Sequence, residues 1–276
     1  MTRSEKSLCH NLGRPSRSDF VQSEYVKEHI MKIKDILCKS KGNCFVALLL
    51  SITCLIVFLM IVNDVNRYNM FSFCYPTEYV WQYISGIFVH GTPQFPVAAS
   101  IGHLVFNLML LIPFGLLIER IVGENRFSAI TLVMWGIQAI AFYVFALIIT
   151  PKNETIRGAG ISGIAFMYGT IGAYILLELL KKNKRLFFRQ VLTYIYLNIL
   201  IAMVVMLNPF VAGMSSFILH IVGVLIGIIF VILNRKYIND NIEKLSQGEI
   251  LTLKASKWNY LWVVVPICFI VIYVTL

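Results

Sequence analysis

The chain has 276 residues, of which 58% are hydrophobic and only 14% charged. Apolar runs of about 20 residues recur, the length that crosses a hydrocarbon layer, which excludes a soluble globular domain. The formal net charge of +10 does not imply a nucleic-acid partner, because the cations collect on one side of the apolar spans.

Residues 1–43 are polar and of mixed charge. They read as a cytosolic tail with a candidate amphipathic stretch near Val26–Leu37, and no cleavable signal peptide is expected. A first span is predicted over 44–63. A long connection follows to about residue 100, rich in Tyr68, Phe71, Phe73, Tyr75, Tyr79, Trp81, Tyr83 and Phe88. Such residues favour the headgroup level, so this loop is expected to lie in the membrane interface. Further spans are predicted over 101–118, 127–149, 162–180, 190–207 and 214–233. A polar linker over 234–257 leads to a seventh span over 258–276. The six cysteines, Cys9, Cys38, Cys44, Cys54, Cys74 and Cys268, have neither paired nor metal-type spacing, so no disulfide framework is expected.

Counting Lys and Arg by connection tests this layout. The tail and the connections after the second, fourth and sixth spans hold 21 of them, against 3 on the other side (Arg67, Lys152 and Arg157). Cytoplasmic loops carry the excess of positive charge, which predicts a multi-pass protein of the cell membrane with its N-terminus cytosolic and its C-terminus external.

In that orientation three spans enter from outside, and each carries unusual polar residues near its entrance. Span four begins at Ser162, inside the run Gly158-Ala159-Gly160-Ile161-Ser162-Gly163. A helix N-terminus leaves backbone N–H groups unbonded at the positive end of the dipole, where an oxyanion is stabilised. The same small residues also suit close helix packing. Span six carries His220, on the order of 9 Å below its entrance at 1.5 Å per residue. An ionisable group inside a span is a candidate functional residue, and a neutral imidazole is the usual base for a serine hydroxyl. The alternative is a histidine bonded to a neighbouring helix. Span two opens with His103 and Asn107, four apart and so on one face; they read as oxyanion donors or as interhelical hydrogen bonds. Gly223 and Gly227 share a face with His220 and let span six approach span four. No Asp or Glu stands in the outer half of any span to orient the imidazole, so catalysis would rest on a dyad. A metal held by His90, His103 and His220 lacks any ligand spacing on one element, and neither metal nor cofactor is expected.

These motifs resemble those of the rhomboid family of intramembrane serine proteases. They are Gly160-Ile161-Ser162-Gly163, His103 with Asn107, and His220-Ile221-Val222-Gly223 with Gly227. Gly115-x3-Glu119-x3-Gly123-x2-Arg126-Phe127 is similar to that family's turn into the third helix. Val80-Trp81-Gln82-Tyr83-Ile84 with Phe88-Val89-His90 is similar to its first-loop motif. The resemblance covers roughly residues 44–233.

It implies an all-α polytopic membrane protein: a six-helix rhomboid-like core over 44–233 around a water-filled, outward-open cavity, with one appended C-terminal transmembrane helix (6+1). It further implies Ser162 as nucleophile, His220 as base, and Asn107, His103 and the Ser162 amide as oxyanion hole. Gly160, Gly163, Gly223, Gly227 and Phe166, the last placed to pack on the imidazole, would support the site. Glu119, about 18 Å along its helix from Asn107, is expected to be structural. Partners would be the lipid bilayer and single-span or polytopic membrane-protein substrates. Three departures stand out. Gln82 replaces an arginine that braces the loop, the stretch with Pro93 and Pro96 is long, and Leu219 precedes His220 where a small residue is preferred. A catalytically inactive binder of client helices is the main rival; a transporter is the third reading, with only Gln138 and Asn198 to extend a polar path inward.

Overall fold

The computed structural model describes residues 45–91, 96–151, 154–182, 191–212 and 214–275, apart from 248, 250, 252, 254 and 255. The N-terminal tail, Pro93 and much of the basic run after the fourth span lie outside the described residues. The elements in chain order are α1 (Phe45–Ile61), α2 (Val65–Phe71), β1 (Phe73–Tyr75), α3 (Gln82–Ser85), α4 (Val97–Val122), α5 (Glu124–Ile149), β2 (Ile156–Gly158), α6 (Ser162–Lys182), α7 (Val191–Val205), α8 (Pro209–Ala212), α9 (Met214–Ser246), a 3₁₀ turn (Lys257–Tyr260) and α10 (Leu261–Thr275). Of these, α4, α5, α6 and α9 are long and apolar enough to cross a membrane, and α1, α7 and α10 are shorter apolar helices.

The central element is α6. Its residues Ser162 to Tyr168 are buried without a break, and it packs chiefly against α9 and α4. A helix apolar all round is a core helix, and here its neighbours supply the surroundings. The Tyr168 hydroxyl shares a hydrogen bond with Thr131 of α5 at 2.6 Å, and Tyr196 of α7 donates to the Pro113 carbonyl of α4 at 2.8 Å.

The end of the bundle where α1 begins is tied by Glu119. Its carboxyl accepts from the amides of Phe45, Val46 and Ala47 at 3.1–3.2 Å, occupying three N–H groups that the start of α1 leaves without an intrahelical partner. Four residues later Gly123 turns the chain at φ +84°, a conformation cheap only for glycine.

Two predicted stretches fold differently. The long connection after the first predicted span is not a plain loop: it contains α2, α3 and β1, and β1 pairs antiparallel with β2 in the register Phe73↔Gly158, Cys74↔Arg157, Tyr75↔Ile156. The helix of the sixth predicted span continues into the stretch read as a linker; α9 runs to Ser246, about 50 Å in all. The extension is held by polar ties: Arg126 to Asn234 at 2.6 Å, Tyr174 to Asn239 at 2.9 Å, and Asn241 to the Ile121 carbonyl at 2.7 Å. Ile238, Ile242 and Leu245 form a fully buried stripe beneath them, at the i, i+4, i+7 spacing of an amphipathic helix.

Candidate active site

Ser162 is the first residue of α6 and is buried. It is delivered by a short approach from β2 in which Gly160 takes φ +117°. The Gly160 amide donates to the Gly86 carbonyl, just past α3, at 3.1 Å. The Gly160 carbonyl accepts from the Gln138 side chain of α5. A side chain on Gly160 would also meet the His103 ring, with Cε1 only 3.0 Å from the place of a Cβ. The approach to the serine is thus held from the loop, from α5 and from α4.

His220 lies on α9, buried to 3% exposure, with its ring stacked on Phe166 at a centroid distance of 3.8 Å and 7° between planes. Phe166 is one turn after Ser162, so the stack brings the imidazole to the face of α6 that carries the hydroxyl. The register is set by glycine. A Cβ on Gly223 would collide with the Gly163 carbonyl, and one on Gly227 would lie 3.0 Å from the Met167 carbonyl. Rising numbers on α6 meet rising numbers on α9, so the two helices run parallel.

His220 Nδ1 lies 3.1 Å from the Met206 carbonyl, just past the end of α7. A carbonyl oxygen only accepts, so this bond exists with the proton on Nδ1, which leaves the lone pair on Nε2. That tautomer is the one a general base requires. A main-chain carbonyl therefore stands where a triad would place a carboxylate, a group no sequence pattern announces.

Asn107 is fully buried, and both atoms of its side-chain amide lack a hydrogen-bond partner among the described residues. Leaving such a group unpaired costs about 1–3 kcal/mol. One turn above it His103 faces Gly160, with the His90 ring at 5.3 Å. Among the described residues no three His, Cys, Asp or Glu side chains are grouped as a metal would need.

A family model for the rhomboid domain matches residues 77–237, more than half of the chain. The chain belongs to the rhomboid family. No curated protein matches it. With its long apolar helices this rhomboid is an integral membrane protein.

Two departures from the rhomboid pattern have a structural answer. The fully buried Gln82 does brace the loop: its Oε1 accepts from the Glu78 and Tyr79 amides at 3.1 Å, and its Nε2 donates to the Asn69 carbonyl at 2.9 Å. The same carbonyl accepts from Arg157 at 2.6 Å, so a guanidinium arrives there from β2 instead of from position 82. Leu219 is half-buried, and α9 still approaches α6 backbone-to-backbone at Gly223.

Of the residues that sequence reading singles out, Phe166, Gly163, His220, Gly223 and Gly227 meet at the α6–α9 contact, Ser162 precedes Gly163 at the start of α6, and Gly160 lies against His103. Sequence reading missed the parts played by Gln138, Arg157 and Met206. Gln138, a lone amide in an apolar helix, gave a signal for the first; the other two gave none.

Proposed function

We propose that this rhomboid is an intramembrane serine endopeptidase that cleaves transmembrane segments of other membrane proteins near the external face. The observation that carries this reading is the His220 ring lying flat on Phe166, one turn from Ser162 at the N-terminus of a buried helix.

In this reading Nε2 of His220 takes the Ser162 hydroxyl proton as Oγ attacks the scissile carbonyl. The oxyanion is met by the Ser162 amide, by Asn107 and by His103. Asn107 supports that role because its amide has no other partner among the described residues. His220 returns the proton to the leaving amine as the C–N bond breaks, and a water then hydrolyses the acyl-enzyme. A substrate helix must unwind locally first, since its amides are locked in i to i−4 bonds, so helix-weakening residues favour cutting. The core over 44–233 and the helix over 258–276 make seven spans, with α1, α7 and α10 among them, the N-terminus cytosolic and the C-terminus external. The 21-to-3 division of Lys and Arg supports that orientation.

The test is coexpression with a tagged single-span substrate. Wild type should yield a fragment that Ser162→Ala abolishes, and a serine-directed fluorophosphonate should label Ser162. Retention of substrate by wild type and Ser162→Ala alike, with no fragment from either, would establish the inactive binder instead.

A further inference from the structure

Arg157 lies at the centre of β2, five residues before Ser162, and is held twice. Its main chain pairs with Cys74 in the sheet. Its guanidinium spans two acceptors of the outer loop, Nη1 donating to the Asn69 carbonyl and Nη2 to Glu78 Oε1, each at 2.6 Å. The far side of this clasp is already rigid, because Gln82 Nε2 shares the Asn69 carbonyl and Gln82 Oε1 takes the amides of Glu78 and Tyr79. Arg157 therefore joins the end of α2, the turn before α3 and the strand that leads to the serine.

Beyond Arg157 the chain reaches Ser162 through Gly158, Ala159, Gly160 and Ile161. Two of these four are glycines, which do little to fix a path by themselves. The position of the hydroxyl is then inherited from where the approach is anchored: at Gly160, by the Gly86 carbonyl and Gln138, and at Arg157. A planar guanidinium suits this task, since one rigid fork sets the angle between two acceptors, whereas a lysine offers a single point charge.

We propose that Arg157 is a positioning residue for the nucleophile, fixing Ser162 through the outer loop. This inference rests on the reading of Ser162 as the attacking group. It separates from a merely structural role on physical grounds. Its ion pair with Glu78 is part-exposed, with side chains 20% and 44% accessible, and such pairs add little to global stability. Displacing a reacting atom by about 1 Å, by contrast, costs up to about a hundredfold in rate.

The experiment uses the full chain in proteoliposomes, with a single-span reporter substrate and a fluorophosphonate probe. Arg157→Met should lower kcat by about 10- to 100-fold with KM unchanged, and slow Ser162 labelling in parallel. Its melting temperature should stay near that of wild type. Arg157→Lys should recover part of both rates, and Glu78→Gln, which keeps an acceptor oxygen, should cost less than Arg157→Met. Glu119→Gln, altered at the far end of the molecule, is the comparator that loses melting temperature without losing labelling rate per folded molecule. If Arg157→Met cleaves and labels at the wild-type rate, or loses rate only in step with melting temperature as an unstable variant does, the inference is overturned while the protease reading stands. If wild type itself neither cleaves nor labels, the protease reading fails and takes this inference with it.

Discussion

The ring of Phe166 lies 3.8 Å from the imidazole of His220, 7° from parallel. With Nδ1 held by the Met206 carbonyl, the stack leaves the imidazole little freedom to rotate. Phe166→Leu removes the aromatic face and keeps an apolar side chain. Ring pairs contribute about 0.5–1.5 kcal/mol beyond their burial, so kcat should fall roughly 2- to 10-fold. Phe166→Tyr should fall less. Cleavage kinetics beside a thermal melt check this; equal kcat for wild type and Phe166→Leu would show that the stack does not orient the base.

The α6–α9 contact has no room for a methyl group. Gly223→Ala would drive a Cβ into the main-chain carbonyl of Gly163, with the Met167 amide 3.2 Å away. Backbone does not yield as a side chain does, so α9 must shift, at a cost of about 1–3 kcal/mol. Ser162 labelling should drop by about a hundredfold. Gly136→Ala on α5 is the control, since among the described residues no other part of the fold lies within 4 Å of its Cβ position. It should label as wild type does.

How far the sequence carried the structure depends on which forces acted locally. Helix positions followed from runs of apolar residues, because in a membrane every backbone amide must be satisfied within the helix. The approach of α9 to α6 was legible because small residues at 223 and 227 share a face with His220, whereas the meeting of Phe166 with His220 was implied by the rhomboid resemblance. The extension of α9 was hidden by its Asn, Arg and Lys residues, which read as a linker; the buried Ile238, Ile242, Leu245 stripe was the overlooked sign. Gln82 looked like a lost brace, yet it braces by its own amide, and the Asn69 carbonyl it holds also accepts from Arg157. That cluster joins residues 75 positions apart, and no local pattern reports it. The carbonyl of Met206 belongs to the backbone, so no residue type could have announced it.

Glu119 should govern stability. Its Oε1 accepts from Phe45 and Val46, and its Oε2 from Ala47. Glu119→Gln turns one acceptor into a donor facing a donor and leaves a buried amide unpaired, at about 1–3 kcal/mol. Denaturant or thermal unfolding in micelles should show that loss. An unchanged unfolding midpoint would mean that the cap contributes nothing to the packing of α1.

The Arg157–Glu78 clasp should be sensitive to acid. The hydrogen bond and charge of Arg157 hold the Glu78 carboxyl below its ordinary 4.5, with partial burial opposing and Cys74 adding a smaller downward pull. For a lowered carboxyl, the stabilising contribution is complete above the ordinary value and is lost as pH falls through the lowered one. Amide protection of residues 69–75 should therefore be level from neutral pH down to about 4.5 and then decline. In Glu78→Gln the decline should be absent; if it persists unchanged, another group is responsible.

The last helix should act on the site as well as anchor the chain. Phe269 of α10 is 5% exposed and packs on Phe71 and Phe88, with centroids 5.7 and 5.3 Å away. Phe88 also meets Trp135, which leads to Trp262 of the same helix, and the Phe88 carbonyl accepts from His90 Nδ1 at 2.9 Å. An aromatic column thus runs from α10 to the loop segment beside His103. Phe269→Ala opens a cavity worth about 3–5 kcal/mol, and the column directs the damage to residues 86–91. Hydrogen exchange there should speed up, and Ser162 labelling should slow. Ile270→Ala changes a neighbour that is 45% exposed and should do neither. If the two variants exchange alike in that segment, α10 is an anchor with no hold on the loop.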